Sequence, residues 1–318
     1  MTPATAFYCV SDERFFLGAV GLINSLRLLG HTEPIYVLDV GLTASQRDLL
    51  AAEVELVSCE AKTPPTLLKT IAPLRHPAEV MVLIDADMIV TRPLDELIDQ
   101  AAGGGVVAVE HGRERFCAEW EQLPGIGELH RRPYVSGALL FCEGRAGSEI
   151  LSLMDRYRDA VDFEQTTWRR NVPGYPYLYG DQDLLNAVLC SRGPSTEVAV
   201  LDRRLEALMP FEGLRVTDES TLACAYADGL RPFALHHYLN KPWLELTLEG
   251  PYNRLLRRLL LAGDVAVRVP VRSLPRHLRA GYLAEAVRRR GNGQGRFRSY
   301  LGEPFASRIR ALRGHQAR

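Results

Sequence analysis

No stretch of this 318-residue chain approaches the eighteen or so uninterrupted apolar residues of a membrane-spanning helix. No basic-then-apolar leader is visible either, since Met1-Thr2-Pro3-Ala4 runs into the apolar Phe7-Tyr8-Cys9-Val10, so a cytoplasmic protein is expected. Cysteine is sparse and scattered: Cys9, Cys59, Cys117, Cys142, Cys190 and Cys224 form no C-x-x-C pair, and several lie in apolar runs such as Leu139-Leu140-Phe141-Cys142. That pattern reads as buried reduced thiols and argues against a cysteine metal cluster or a disulfide scaffold. Internal repeats and long low-complexity tracts are missing too. What remains, 47% hydrophobic and 24% charged, is enough to bury a full globular core.

The net charge of −1 hides an asymmetry. Residues 251–318 carry sixteen arginines, no lysine and three acids (Asp264, Glu285, Glu303), near +13. The preceding 250 residues hold 22 basic and 36 acidic side chains, near −14. The two parts therefore meet different partners or each other. We expect one large domain over 1–248 and an arginine-rich extension over 249–318, helical around Tyr252–Leu261 and Leu283–Arg290 with Gly291–Gly295 as a linker.

Apolar runs alternate with helical spacing. Strands are predicted at Phe7–Val10, Pro34–Asp39, Val54–Val57, Val80–Ile84, Val106–Val109, Tyr134–Phe141 and Phe233–Tyr238. Helices are predicted after Asp12, over Thr43–Ala52, Leu67–Leu74, Pro93–Gln100, Ile150–Tyr157 and Asp181–Leu189. This βαβ order predicts an α/β fold with a Rossmann-like, mostly parallel central sheet flanked by helices.

Against that frame, Asp85-Ala86-Asp87 stands out, because two carboxylates end the apolar run Val80–Ile84 and another apolar pair, Ile89-Val90, follows at once. Ligands of open α/β sheets sit at the carboxyl ends of such strands. Alternation along a strand would put Asp85 and Asp87 on one side, where both offer oxygens to a hard cation. A turn, or a cap for a helix starting near Thr91-Arg92-Pro93, is the simpler alternative.

Three further segments bring polar groups to the ends of predicted elements: Ser136-Gly137, Asp181-Gln182-Asp183, and His236-His237 with Lys241. Together with the opening strand they resemble family 8 glycosyltransferases, metal-dependent retaining enzymes with the GT-A nucleotide-diphosphosugar transferase fold. The resemblance spans roughly residues 7–245. It implies that Val82–Val90 is the metal-binding strand end, with Asp85, Ala86 and Asp87 at the metal and donor, and that His236–Trp243 is the metal-histidine and phosphate-lysine element. Either His236 or His237 would be the ligand. His237, followed by an aromatic residue, is slightly preferred, although the spacing to Lys241 favours His236. The implied cofactor is Mn2+ or Mg2+ and the implied donor a UDP-sugar, hexose being transferred to an acceptor hydroxyl.

The same resemblance places Asp12 at the uracil, with Val10 and Ser11 beside base and ribose. It puts Lys69, where an arginine is usual, at the donor phosphates, Ser136 and Gly137 along the sugar, Asp181 on sugar hydroxyls, and Gln182 near the anomeric carbon. Val135 stands where an asparagine normally reaches the sugar, so the identity of the sugar does not carry over. Simpler roles exist for the same residues: Ser11 or Asp12 capping a helix, Asp181 and Asp183 at a helix start, the histidines in the core.

Two other functions compete. A sugar-1-phosphate nucleotidyltransferase shares the carboxylates and the sheet, but its first strand leads into a glycine-rich basic loop, which Ser11-Asp12-Glu13-Arg14 is not. A non-enzymatic protein binding an anionic surface or nucleic acid would make the arginine tail the point, yet no zinc-finger spacing or RNA-stacking motif accompanies it. Leu255, Leu256, Leu259 and Leu260 beside Arg254, Arg257 and Arg258 fit an interfacial helix at the inner face of the cell membrane, or one docked on the acidic main domain. The acceptor is not indicated. The Tyr175/Tyr177/Tyr179 loop suits either sugar stacking or plain packing.

Overall fold

A computed structural model describes residues 2–60, 63–192, 197–247 and 250–279. The first compact unit ends at Ser273. Its seven-stranded sheet has the order β3 (Glu55–Ser58), β2 (Ile35–Asp39), β1 (Thr5–Ser11), β4 (Val80–Ile84), β7 (Val135–Glu143), β6 (Val106–Glu110), β8 (Val198–Leu201). Every neighbouring pair is parallel except those of β7, which runs antiparallel to both β4 and β6. β4 lies mid-sheet and all five of its residues are buried, which is why it reads as an unbroken apolar run.

Helices α5 (Gly144–Tyr157) and α6 (Asp181–Ser191) cover one face, where Ile150, Leu151, Leu184, Leu185 and Val188 join Tyr8, Met81, Leu83 and Leu140 in one cluster. α1 (Phe16–Leu28) packs on β1, and α4 (Asp95–Ala102) on β4, β6 and β7. α2 (Ala44–Leu50) is closed by a capping box between Thr43 and Gln46. The helix expected over Leu67–Leu74 is instead a 3-10 turn, Pro65–Leu68, followed by the short α3 (Ile71–Arg75). Pro64-Pro65 starts the turn, and Pro73 has no N–H to continue a longer helix from Leu67.

Two smaller sheets complete the unit. β5 (Met88–Val90), β12 (Ala234–His236) and β9 (Glu206–Leu208) form a three-stranded sheet, and β10 (Arg215–Asp218) pairs with β11 (Ala223–Ala225). The chain leaves the large sheet at the end of β4 and enters the small one at β5, so Asp85-Ala86-Asp87 is the crossing between them.

Pro251–Leu261 forms α7. Its leucines, Leu255, Leu256, Leu259 and Leu260, are buried, and the helix packs against α1. Asn24 of α1, itself buried, donates to Leu259 O and Val267 O, each at 2.9 Å, and accepts from Val267 N at 2.7 Å. The interfacial-helix expectation is thereby corrected: the apolar face of α7 is used inside the fold. Among residues 274–279, Arg276–Leu278 make a 3-10 turn. The expected helix at Leu283–Arg290 and the linker after it lie outside the described residues. Among the described residues no helix is long and apolar enough to cross a membrane. All six cysteines are free, and four of them, Cys9, Cys142, Cys190 and Cys224, are buried.

Candidate active site

Asp85 and Asp87 converge through a turn rather than through strand alternation. Asp85 N donates to Ala138 O at 2.9 Å, and Met88 N closes the turn on Asp85 O at 3.1 Å. β5 then pairs antiparallel with β12 in a register that sets Met88 opposite His236, which carries His236 to the side of Asp87. One ligand atom from each of Asp85, Asp87 and His236 lies within 4.8 Å of the others.

His236 Nε2 stands 3.4 Å from Asp87 Oδ1, and its Nδ1 lies 2.8 Å from Glu206 Oε1 on the parallel neighbour β9. His237 faces elsewhere. Its Nδ1 sits 2.8 Å from Leu239 O and its ring is 5.1 Å from that of Tyr252, while its backbone N donates to Asp87 O. The slight preference for His237 is thus not supported by the geometry, since β12 ends at His236 and that residue alone of the two joins the aspartates.

Of the chain's three lysines, Lys62, Lys69 and Lys241, two lie at this cluster. Lys69 Nζ bridges Asp85 Oδ1 and Asp181 Oδ2, each at 2.7 Å, and donates to Gly137 O at 3.1 Å. Lys241 Nζ pairs with Asp87 Oδ2 and donates to His237 O at 2.7 Å. Each aspartate of the pair therefore has its own ammonium.

Asp181 and Gln182 open α6 behind Gly180, and Gly137 N donates to Gln182 Oε1 at 3.3 Å. Gln182 Nε2 is buried without a hydrogen-bond partner. Ser136 is buried, and its Oγ accepts from Ala138 N at 3.2 Å. Val135 is wholly buried with its backbone clamped by Asn186, which accepts from Val135 N and donates to Val135 O, both at 2.9 Å. Asp183 proves structural, for it accepts from Arg115 Nε at 2.6 Å, Tyr134 OH at 2.7 Å and Tyr179 N at 2.7 Å. Sequence reading missed Glu206, Arg115 and Asn186. Asn186 alone carried a signal, lying one helical turn after Gln182.

At the other edge, Asp12 Oδ1 accepts from Arg14 N at 2.9 Å and Phe15 N at 2.8 Å, which closes the turn before α1, whose N-cap is Phe15 rather than Ser11 or Asp12. Ser11 is buried and Val10 partly so. Trp243 locks the lysine segment onto this turn by donating from Nε1 to Arg14 O at 2.7 Å. Gly18 makes the approach possible, because a Cβ there would come within 2.5 Å of both Ala86 O and the Trp243 ring.

Burial raises the Asp85 carboxyl to about 6, with the nearby Asp87 and Asp181 adding to the effect and Lys69 opposing it. Asp87 is also desolvated, yet Lys241 and His236 hold it well below the usual carboxylate range. Burial alone would lower His236, but Asp87 and Glu206 lift it to about 10. Lys69 is held firmly protonated by Asp181 and Asp85 against its own desolvation.

The fold, a mostly parallel seven-stranded sheet flanked by helices, matches that of solved GT-A glycosyltransferases. No protein-family model and no curated protein sequence matches the chain. Among solved structures, the galactosyltransferase LgtC in complex with donor and acceptor sugar analogs aligns with a TM-score of 0.54 at 16% identity, over 83% of this chain and 97% of that one. The bifunctional glycosyltransferase WbbM gives 0.54 at 16% identity over 83% of this chain, which spans only 50% of WbbM. GlyE of Streptococcus pneumoniae TIGR4 gives 0.52 at 16% identity over 82% of this chain and 61% of GlyE.

The residues present fit a divalent cation. Asp87 Oδ1 is buried without a hydrogen-bond partner, on the side of His236 Nε2. Glu206 on Nδ1 leaves Nε2 as the nitrogen free to ligate, as outer carboxylates do for metal-bound histidines. Two carboxylates and an imidazole are a donor set suited to a divalent cation.

Proposed function

We propose that this protein transfers a hexose from a UDP-sugar to an acceptor hydroxyl with retention of anomeric configuration, using Mn2+ or Mg2+ held by Asp85, Asp87 and His236. The observation that carries this reading is the Lys69 bridge, which joins the cation cluster at Asp85 to the sugar-side residue Asp181 within one side chain. A bound cation would act as a Lewis acid for the charge that develops on the leaving diphosphate.

Lys241 supplies a point charge to those phosphates, and Lys69 does so from the sugar side. Asp12, Val10 and Ser11 receive the base and ribose, Ala86 follows the ribose, and Ser136, Gly137 and Asp181 line the sugar. Gln182, with its Nε2 still unpaired, stands ready for the anomeric end. The acceptor attacks from the face the diphosphate leaves. The arginines beyond Arg279 are read as an electrostatic anchor to an anionic membrane surface, the α7 leucines being committed to the core.

Calorimetry with UDP in the presence and absence of Mn2+ tests this, followed by mass spectrometry of UDP released from a panel of UDP-sugars. Binding that needs the metal and disappears in Asp85→Ala is expected. No binding of UDP or of any UDP-sugar with Mn2+ present would sink the reading.

A further inference from the structure

Asp183 and Glu206 are the most deeply buried carboxylates among the described residues, with 0% and 2% of their surface exposed. They are satisfied in opposite ways. Asp183 takes an ion pair from Arg115 and hydrogen bonds from Tyr134 OH and Tyr179 N, as a structural carboxylate must. Glu206 has no lysine or arginine partner among the described residues: its Oε1 lies 2.8 Å from His236 Nδ1, and its Oε2 is buried without a hydrogen-bond partner. A buried carboxylate left half-satisfied costs stability, so a structural role does not account for it.

The contact with His236 is held rigidly. β9 runs parallel to β12, with Glu206 opposite Ala234 and Leu208 opposite His236. Phe233 N donates to Leu205 O at 2.8 Å at one end of this pairing and Met209 N to His236 O at 3.3 Å at the other, while Ala207, Ala234 and Leu235 between them are buried. Both side chains therefore stand on paired strands rather than on loops, with Nδ1 on Glu206 and Nε2 turned to Asp87 Oδ1, 3.4 Å away. Charge points the same way. Asp85, Asp87, Asp181 and Glu206 bring four carboxylates to the cluster, and Lys69 and Lys241 bring two ammonium groups. With His236 neutral, as a metal ligand must be, two negative charges are left over for a divalent cation to match, and one of those two comes from Glu206.

We infer that Glu206 is a positioning residue of the cation site, which acts through His236 and biases the site toward divalent cations that bind nitrogen well, at the expense of Mg2+. This rests on the cation reading proposed above and adds which cations the site prefers and which residue decides it. An ionised carboxylate can only accept, so Glu206 keeps the proton on Nδ1 and leaves the lone pair on Nε2. Its negative charge behind the ring makes Nε2 a stronger donor. Mg2+, which takes oxygen ligands, gains little from that, whereas Co2+ binds imidazole nitrogen strongly.

The full-length protein is titrated by calorimetry with Co2+ alone and with Mg2+ alone, and the visible absorption of the Co2+ form is recorded. The parent should bind Co2+ about tenfold or more tighter than Mg2+. Glu206→Gln keeps an acceptor for Nδ1 but gives up the charge; it should weaken Co2+ about tenfold, change Mg2+ by no more than about threefold, and shift the Co2+ bands. Glu206→Asp keeps the charge but falls one methylene short of Nδ1, so it should lose the preference for Co2+ as well, and it answers the question if Glu206→Gln does not fold. In a His236→Gln background, adding Glu206→Gln should leave the ratio of the two affinities unchanged, because the route through the imidazole is already gone. Equal weakening of both cations, or a lower melting temperature with the ratio intact, would overturn the inference and leave the cation reading standing. A parent that binds neither cation would overturn both.

Discussion

His236 and His237 separate two roles that adjacent identical residues cannot share. In His236→Ala the Mn2+-dependent affinity for UDP should fall by about 10- to 100-fold, the range seen when a metal site loses part of its shell. His237→Ala should leave that affinity within threefold or so and lower thermal stability instead, because its ring packs on Tyr252 and Phe211. Paired calorimetry and melting curves decide between them. Asp39 gives a pH test away from the site. Burial opposes its charge, but Arg47 at 2.5 Å and the N–H groups of Gly41 and Leu42 hold its carboxyl below the ordinary value. Its folded pKa is depressed, so its contribution is fully present above the unfolded value near 4 and is lost as pH falls through the folded value. Asp39→Asn should therefore cost about 1 kcal/mol at pH 7, a difference that shrinks below about pH 4 in urea titrations.

Legibility differed from residue to residue for a physical reason. Asp85-Ala86-Asp87 shows itself because it is local and breaks an apolar run, whereas Asp181-Gln182 and Lys241-Pro242-Trp243 stand at the ends of predicted elements and took their reading from the family resemblance. Glu206 shows nothing in sequence, since its meaning comes from pairing two three-residue strands thirty positions apart. Choosing between the histidines likewise needed the Met88–His236 register. Val135 drew attention as a departure from the resembled pattern, yet it is a wholly buried residue whose backbone is the part in use.

Among the elements, α7 has the clearest consequence. Its amphipathic pattern suits a membrane surface or a protein surface equally, because both reward burial of the same leucine stripe. The Asn24 bonds to Leu259 and Val267 break that tie in favour of α1. Leu256→Ala should lose about 2–5 kcal/mol in chemical denaturation. Asn24→Ala should lose about 1–3 kcal/mol, since the buried Val267 N–H and two carbonyls would be left with one partner fewer each. If either variant unfolds like the parent, the docking of α7 is not what holds this edge.

For the chain as one object, the place to divide it follows from that packing. A protein ending at Leu248 strips α7 from α1 and should precipitate or melt well below the parent, whereas one ending at Arg279 should melt within a few degrees of it. Flotation with anionic vesicles then isolates the arginines beyond Arg279: the full chain should float at low salt and the shorter one should not. Equal flotation by both would remove the tail as an anchor.

By itself the sequence determined the α/β class, the burial of β4 and the residue types at the site, because periodicity and polar interruptions of apolar runs are properties of neighbours along the chain. Tertiary structure decided which histidine meets the aspartates, that Lys69 joins Asp85 to Asp181, that β7 runs against its neighbours, and where the leucines of α7 go. Each of these depends on strand register or helix docking between distant segments, and such long-range choices are made by packing and charge pairing that no local pattern encodes.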